Sequence, residues 1–196
     1  TLEGHTKGIS SVAVSPDGKF IVTGSDDKTA KVWDSTTKEC VCTLKGHTEG
    51  IISVAVSPDG KFIVTGSWDN TAKVWDSTTK ECVGTVEGHT GWIRSVAVSP
   101  DGKVIVTGSR DKTAKVWDST TKGCVGTLEG HTKGISSVAV SPDGRFIVTG
   151  SDDKTAKVWD STTKECVGTL EGHTEAILSV AVSPDGRFIV TGSDDK

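Results

Sequence analysis

The chain repeats itself every 42 residues, and this period constrains its fold more than any other feature. The tripeptide GHT occurs at 4–6, 46–48, 88–90, 130–132 and 172–174, with no insertion or deletion between copies. A fixed period of this length predicts a repeat architecture in which each copy is one structural unit. We therefore interpret 1–196 as a single array, with repeats at 1–42, 43–84, 85–126 and 127–168 and a partial repeat at 169–196.

Each copy has the pattern of short strands separated by polar turns. In the first copy, segments rich in β-branched and aromatic residues predict strands at 9–15, 20–24, 29–34 and 39–44. The sequence SPDG at 15–18 predicts a turn, because proline presets φ at the second position and glycine adopts a conformation that other residues resist. No segment has helical periodicity, so the sequence predicts an all-β fold.

The motifs GH, SPDG, TGSDD and KVWD recur at this spacing along the whole chain. Together they resemble the WD40 repeat. This resemblance implies β-propeller blades arranged around a central axis. For a chain of this length, it implies four complete four-stranded blades plus the first two strands of a fifth.

The resemblance also implies a tetrad of histidine, threonine, aspartate and tryptophan in each repeat. By position, the members would be His5, Thr23, Asp27, Trp33, His47, Thr65, Asp69, Trp75, His89, Thr107, Asp111, Trp117, His131, Thr149, Asp153 and Trp159, with His173, Thr191 and Asp195 in the partial repeat. A hydroxyl, an imidazole and a carboxylate could suggest a catalytic triad. An enzyme needs one such site rather than one per repeat, so we expect structural tetrads that pair buried polar groups and no enzymatic activity.

The composition argues against several classes of partner. The formal net charge is −4, and no basic stripe of the kind that binds phosphates is present, so we expect no nucleic-acid partner. No apolar run approaches the ~20 residues of a membrane helix, so we expect no membrane partner. There is no CxxC pair, and we expect neither a metal nor a cofactor.

Cysteine usage indicates a repeat position rather than a disulfide framework. Four of the five cysteines stand 42 residues apart, and the set is Cys40, Cys42, Cys82, Cys124 and Cys166. We expect these side chains to be small buried hydrophobes in a reducing compartment. This expectation favours a cytoplasmic protein.

The copies differ from one another mainly on one predicted face. Eleven of the 42 repeat positions vary, and four of them show three or more residue types. These four lie beside GHT or in the SDDK turn, which an up-and-down strand order places on the same face. The members that we take as candidate partner-binding residues are Asp26, Ile52, Trp68, Trp92, Arg94, Arg110, Asp152 and Leu178. On the opposite face, turn geometry accounts for the constant SPDG but not for the constant threonines of STTK. Recent duplication or homogenisation of the array could explain these threonines.

Trp68 is the most unusual of these residues, because it gives TGSWDN where three other copies have TGSDDK. Trp68, Trp92, Arg94 and Arg110 lie on adjacent blade tips and are of the types that dominate binding hot spots. We expect them to form the centre of a protein- or peptide-binding surface. The other interpretation is local packing of arginine over indole.

These features predict a non-catalytic recognition module. Near-identical copies with variation restricted to one face resemble the WD40 sensor regions of NACHT-type recognition proteins in fungi and bacteria. The alternative is an engineered or fragmentary propeller with no native ligand.

The blade count predicts an open ring. An unpaired edge at 188–192 and an uncovered flank on the first blade would expose apolar surface. We expect copies to assemble head to tail into a homo-oligomer that completes the ring. Membership of a longer array is the other route to closure.

Overall fold

The computed structural model describes residues 1–195, which form eighteen strands in five sheets. Four sheets contain four antiparallel strands in chain order, and the fifth contains two. Within residues 1–195 there is no helix. The predicted all-β fold, with four complete blades and two strands of a fifth, is confirmed.

The bounds of the strands repeat closely from blade to blade. Blade 1 contains β1 (Ile9–Val14), β2 (Phe20–Ser25), β3 (Thr29–Asp34) and β4 (Cys40–Lys45), and blade 2 contains β5 (Ile51–Val56), β6 (Phe62–Ser67), β7 (Ala72–Asp76) and β8 (Cys82–Val86). Blade 3 contains β9 (Ile93–Val98), β10 (Val104–Ser109), β11 (Ala114–Asp118) and β12 (Cys124–Leu128). Blade 4 contains β13 (Ile135–Val140), β14 (Phe146–Ser151), β15 (Ala156–Asp160) and β16 (Cys166–Leu170), and the partial blade contains β17 (Ile177–Val182) and β18 (Ile189–Ser193).

The SPDG turn ends the first strand one residue earlier than the sequence predicts. The Gly18 amide donates to the Ser15 carbonyl at 2.8 Å, and Gly18 has φ of 70°, which favours glycine. Asp17 Oδ1 accepts from the Ser15 hydroxyl at 2.7 Å and from the Lys19 amide at 3.1 Å. Ser15 is therefore part of the turn rather than of β1.

The STTK turn has a geometric reason for part of its constancy. Asp34 Oδ1 accepts from the backbone amides of Thr36 and Thr37, and the Ser35 hydroxyl donates to the Gly18 carbonyl. The Thr37 hydroxyl accepts from the Glu39 amide at 3.3 Å. The second threonine therefore has a local role, because its hydroxyl closes the turn. Nothing in the structure explains the constancy of the Thr36 side chain.

Adjacent blades pack through apolar faces with almost no space between them. At the junction of blades 1 and 2, Val22 and Leu44 lie in one cluster with Ile51 and Val54. A β-carbon at Gly24 would lie 2.7 Å from Ile51 Cγ2 and 2.9 Å from Val54 Cγ1. Only glycine permits so close an approach, and the same crowding recurs at the later junctions, at Gly66, Gly108 and Gly150.

The array has an uncovered apolar face at each end. Val12 of blade 1 is 63% exposed, whereas its equivalent Val54 is 7% exposed because blade 1 covers it. Val190 of the partial blade is 61% exposed, whereas its equivalent Val22 is fully buried. Val12 therefore lies outside the core, whereas its equivalents are buried wherever a preceding blade is present.

The cysteines are not buried, which corrects the sequence prediction. Four of them are exposed and Cys42 is half-buried, all with free thiols. They lie at the start of the fourth strand of each blade, where the pairing with the third strand shifts in register at Val32 and Trp33. The fourth strand forms the outer edge of its sheet, so no neighbouring strand covers these side chains.

Candidate functional site

The tetrad residues are hydrogen-bonded to one another in each complete repeat. In the third repeat, His89 Nδ1 lies 2.7 Å from Asp111 Oδ2 and His89 Nε2 lies 2.7 Å from Thr107 Oγ1. Trp117 Nε1 lies 2.8 Å from the same threonine oxygen. These contacts join the loop that carries the histidine to the second and third strands of its own blade.

The chemistry of the four groups fixes the direction of each hydrogen bond. The Trp117 ring N–H can only donate and an ionised Asp111 carboxylate can only accept. His89 therefore donates from Nδ1 to Asp111, and a neutral ring accepts at Nε2 from the Thr107 hydroxyl. The threonine oxygen in turn accepts from Trp117, so each of the four tetrad groups has a hydrogen-bond partner.

The tetrad carboxylates are held ionised. Burial raises the pKa of Asp69, but hydrogen bonds from His47 and Thr71 outweigh burial and hold this pKa well below its usual range. The same balance lowers the pKa of Asp153 to about 2. Burial lowers the pKa of His131, and its bond to Asp153 offsets this only in part. A neutral imidazole beside an ionised aspartate suits a structural hydrogen bond.

The variable positions meet where neighbouring blades adjoin. A β-carbon at Gly50 would lie 3.0 Å from the Trp68 ring of its own blade and 3.2 Å from Asp26 Cα of the preceding blade. The residue two places after GHT is therefore sandwiched between SDDK-type turns of two blades. In the third repeat that residue is Trp92, which the sandwich places against Trp68 of blade 2 and Arg110 of blade 3.

Trp68, Trp92 and Arg110 form a stacked group across this junction. The Trp68 and Trp92 ring centroids are 5.6 Å apart with an interplanar angle of 41°. The Arg110 guanidinium carbon lies 4.9 Å from the centroid of the Trp92 ring, within range of a cation–π contact. Trp68 is half-buried, but Trp92 keeps 42% of its surface exposed. Local packing of arginine over indole does occur, and it leaves Trp92 partly open to solvent.

Arg94 is paired with a carboxylate of the next blade. Its Nη1 lies 2.9 and 2.8 Å from the two carboxylate oxygens of Asp152. Both side chains are about one-third exposed. Pairs with this exposure contribute about 1 kcal/mol or less to stability, so the main effect of the contact is to fix the position of Arg94 between blades 3 and 4.

Seven of the eight candidate residues surround one open cavity of about 560 Å³. The cavity is lined by Ile52, Trp68, Trp92, Arg94, Arg110, Ser136, Asp152 and Leu178. Asp26 is the candidate that does not line it, and accepts a hydrogen bond from Ser10 at 3.0 Å instead. The arrangement provides aromatic and aliphatic surface beside two guanidinium groups.

Within residues 1–195, no three histidine, cysteine, aspartate or glutamate side chains are grouped so that they could hold a metal ion. In the same part of the chain, no helix is long and apolar enough to cross a membrane.

Comparison with known proteins identifies the repeat. The family model described as "WD domain, G-beta repeat" matches residues 1–34, 38–76, 80–118, 122–160 and 164–196. The chain belongs to the WD40 family. Membership indicates a protein-interaction scaffold, and WD40 repeat domains are generally non-catalytic.

Two relatives match the chain over about one repeat length. The chain is similar to the ribosome biogenesis protein BOP1 homolog of Aedes aegypti, with 49% identity over 41 residues. It is similar to the protein of the same name from Drosophila grimshawi, with 52% identity over 40 residues. These matches cover 21% and 20% of this chain and 5% of each relative.

Two residues near the variable face of this WD40 array are not among the eight predicted candidates. Ser136 lines the cavity, and its hydroxyl donates to the carbonyls of Gly150 and Ile177. Asn70 lies two residues after Trp68 in the TGSWDN turn, and within residues 1–195 its buried Oδ1 has no hydrogen-bond partner. The sequence signal for Asn70 was that it replaces the lysine found in the other copies. In the structure this position has φ of 69°, a conformation that asparagine adopts more readily than most residues.

Proposed function

We propose that this array is a non-catalytic recognition module that binds a protein or peptide in the cavity of its variable face. One observation carries the proposal: three of the four most variable repeat positions supply the residues that surround one open cavity. Packing needs alone do not require this diversity, because the equivalent positions of the first repeat carry small or acidic residues on the same backbone.

The cavity suits a ligand that combines an apolar side chain with a carboxylate. Trp92 and Leu178 expose 42% and 45% of their surfaces and offer apolar area. Within residues 1–195, Arg110 forms no ion pair with a carboxylate, while Arg94 is already paired with Asp152. A peptide carboxylate placed near Arg110 would form a charge-assisted hydrogen bond while its apolar neighbour covers the indole.

A displayed peptide library provides the test. The array should enrich sequences with an acidic residue beside an aromatic or aliphatic one, and Trp92→Ala and Arg110→Ala should each weaken binding of an enriched peptide about tenfold or more. Thr120→Ala is the matched control, because Thr120 is exposed in the STTK turn of the same repeat on the opposite face.

Two results would contradict the proposal. One is enrichment of peptides that bind the Trp92→Ala, Arg110→Ala and Thr120→Ala variants equally well. The other is a failure to enrich any peptide, which is the outcome expected of an engineered or fragmentary array with no native ligand.

The end faces support a second part of the proposal, that copies of the chain associate head to tail. Val12 is exposed at one end of the array and Val190 is exposed at the other. Their equivalents, Val54 and Val22, are buried in the same cluster where blades 1 and 2 meet. Sedimentation equilibrium should give a multiple of the 20.4 kDa chain mass, and Val12→Lys should reduce it. A monomer at all concentrations would refute this part.

The cytoplasm is the compartment that we propose. Its support is the set of free thiols, four of them exposed, which persist in reducing surroundings. Fluorescence microscopy of the tagged protein in its source cells would test this, and a secreted or organellar signal would contradict it.

A further inference from the structure

The third repeat differs from all others at one position beside the SPDG turn. Position 20 of the repeat is phenylalanine in four copies, at Phe20, Phe62, Phe146 and Phe188, and is Val104 in the third. This position lies on the face opposite the variable residues. The difference lies at the junction between blades 3 and 4.

The junction of blades 1 and 2 shows what the phenylalanine does. Phe20 packs against the apolar cluster between these blades. The surface depression that remains has about 370 Å³ and is lined only by Phe20 and turn residues, namely Pro16, Asp17, Pro58, Asp59 and Gly60. The aromatic ring thus separates the depression from the valines and isoleucine beneath it.

At the junction of blades 3 and 4 the ring is missing and the cavity is deeper. It measures about 480 Å³, and its lining includes Val104 together with Val116, Val140 and Ile147. The remaining lining residues are Ser99, Pro100, Asp101, Pro142, Asp143, Gly144 and Ser161. Each of these residues has a counterpart of the same type at the first junction, and Val104 is the one exception.

The inner end of this cavity is an apolar recess formed by Val104, Val116, Val140 and Ile147. Val104 and Val140 are half-buried, so part of each side chain is accessible, whereas Val116 and Ile147 are 0% exposed beneath them. An apolar group in the recess would bury the accessible parts of Val104 and Val140, and burial of apolar surface favours binding.

A lysine lies near the cavity. At the first junction, Lys80 Nζ lies 5.1 Å from the centroid of the Phe20 ring. The equivalent residue two repeats later is Lys164, and its ammonium likewise donates to the carbonyl of the serine three residues earlier. A ring placed above Val104 would therefore lie close to the Lys164 side chain.

We propose that the cavity between blades 3 and 4 binds one phenylalanine-like aromatic side chain of a protein partner. The ring enters between Pro100 and Pro142, covers Val104 and Val140, and lies near Lys164. This site is independent of the function proposed for the variable face, from which it is separated by the length of the blade.

The test uses a small aromatic probe and two exchanged variants. N-acetyl-L-phenylalanine amide is titrated into the full chain with labelled valine methyl groups, and N-acetyl-L-alanine amide serves as the probe without a ring. The phenylalanine probe should shift the methyl signals of Val104, Val116 and Val140, and the alanine probe should not. Val104→Phe should weaken this binding at least tenfold, because its own ring then occupies the recess.

The reverse exchange is the matched control. Phe20→Val gives the cavity between blades 1 and 2 the same lining residue types as the cavity between blades 3 and 4. It should therefore create a second binding site, and the probe should then shift the methyl signals of Val32 and Val56. The proposal is refuted if Val104→Phe binds the probe as the parent chain does, if Phe20→Val gains no site, or if the probe shifts no methyl signal up to its solubility limit.

Discussion

Thr107→Val isolates the contribution of the tetrad to stability. The substitution keeps the branched shape of the side chain and removes only its hydroxyl. Thr107 is 0% exposed, and its oxygen is 2.8 Å from Trp117 Nε1 and 2.7 Å from His89 Nε2. The variant therefore leaves an indole N–H and an imidazole nitrogen without a partner at a place that water does not reach.

The size of the effect follows from these two orphaned groups. A buried polar group without a hydrogen bond costs about 1–3 kcal/mol, so two cost about 2–6 kcal/mol. The extra methyl group of valine returns about 0.8 kcal/mol through burial. We expect the free energy of unfolding to fall by about 3 kcal/mol, within a range of about 1–5 kcal/mol.

Thr191→Val is the matched control within the same chain. Among residues 1–195, the Thr191 hydroxyl bonds only His173 of its tetrad, and the His173 side chain is 29% exposed. Water can replace the lost hydroxyl there, so we expect a loss below about 1 kcal/mol. Urea unfolding followed by tryptophan fluorescence and circular dichroism gives both values. The reasoning fails if the two variants differ by less than about 0.5 kcal/mol.

Three further predictions follow from packing, charge and exposure. Gly66→Ala places a β-carbon 2.8 Å from both Ile93 and Val96, and it should lower the free energy of unfolding by about 1–3 kcal/mol. Gly192→Ala is the control with the smaller expected loss, because its β-carbon meets only the movable Ser179 hydroxyl. Equal urea midpoints for the two variants would contradict the explanation by close approach. Stability should fall below about pH 6.5, because burial lowers the pKa of His131 in the folded state. It should fall again from about pH 4 towards 2, because the tetrad aspartates, of which Asp153 has a pKa of about 2, become protonated there. Urea midpoints that stay constant from pH 7 to pH 3 would refute this. A thiol reagent should rapidly modify the four exposed cysteines of the folded chain, which are Cys40, Cys82, Cys124 and Cys166. Protection of these thiols until the chain unfolds would contradict their exposure.

Much of the local structure was predictable because the determining interactions lie within one repeat. The turn at SPDG depends on Pro16 and on the positive φ of Gly18, both of which are local properties. The strands follow from β-branched runs between such turns, and their predicted ends differ from the structure by about one residue. The hydrogen bonds of the tetrad were implied by family resemblance, since no local rule relates His89 to Thr107 or Asp111.

The contents of the candidate site depended on contacts between repeats. Sequence reasoning placed Trp68 and Trp92 on the same face, but only the stacking of blades brought their rings to 5.6 Å. Arg94 and Asp152 are 58 residues apart and meet because their blades are neighbours. The Val104 cavity was overlooked because a change from phenylalanine to valine is mild in sequence and becomes important only beside a second blade.

The sequence by itself determined the repeat, its strands and its turns, because those features depend on interactions between residues that are close along the chain. The tertiary structure alone decided which equivalent residues are covered. Val12 and Val54 occupy the same position of identical VAVSPDGKF segments, yet one is 63% exposed and the other 7%. The physical reason is that burial is a property of the neighbouring blade, and a blade buries its apolar face only where another blade packs against it.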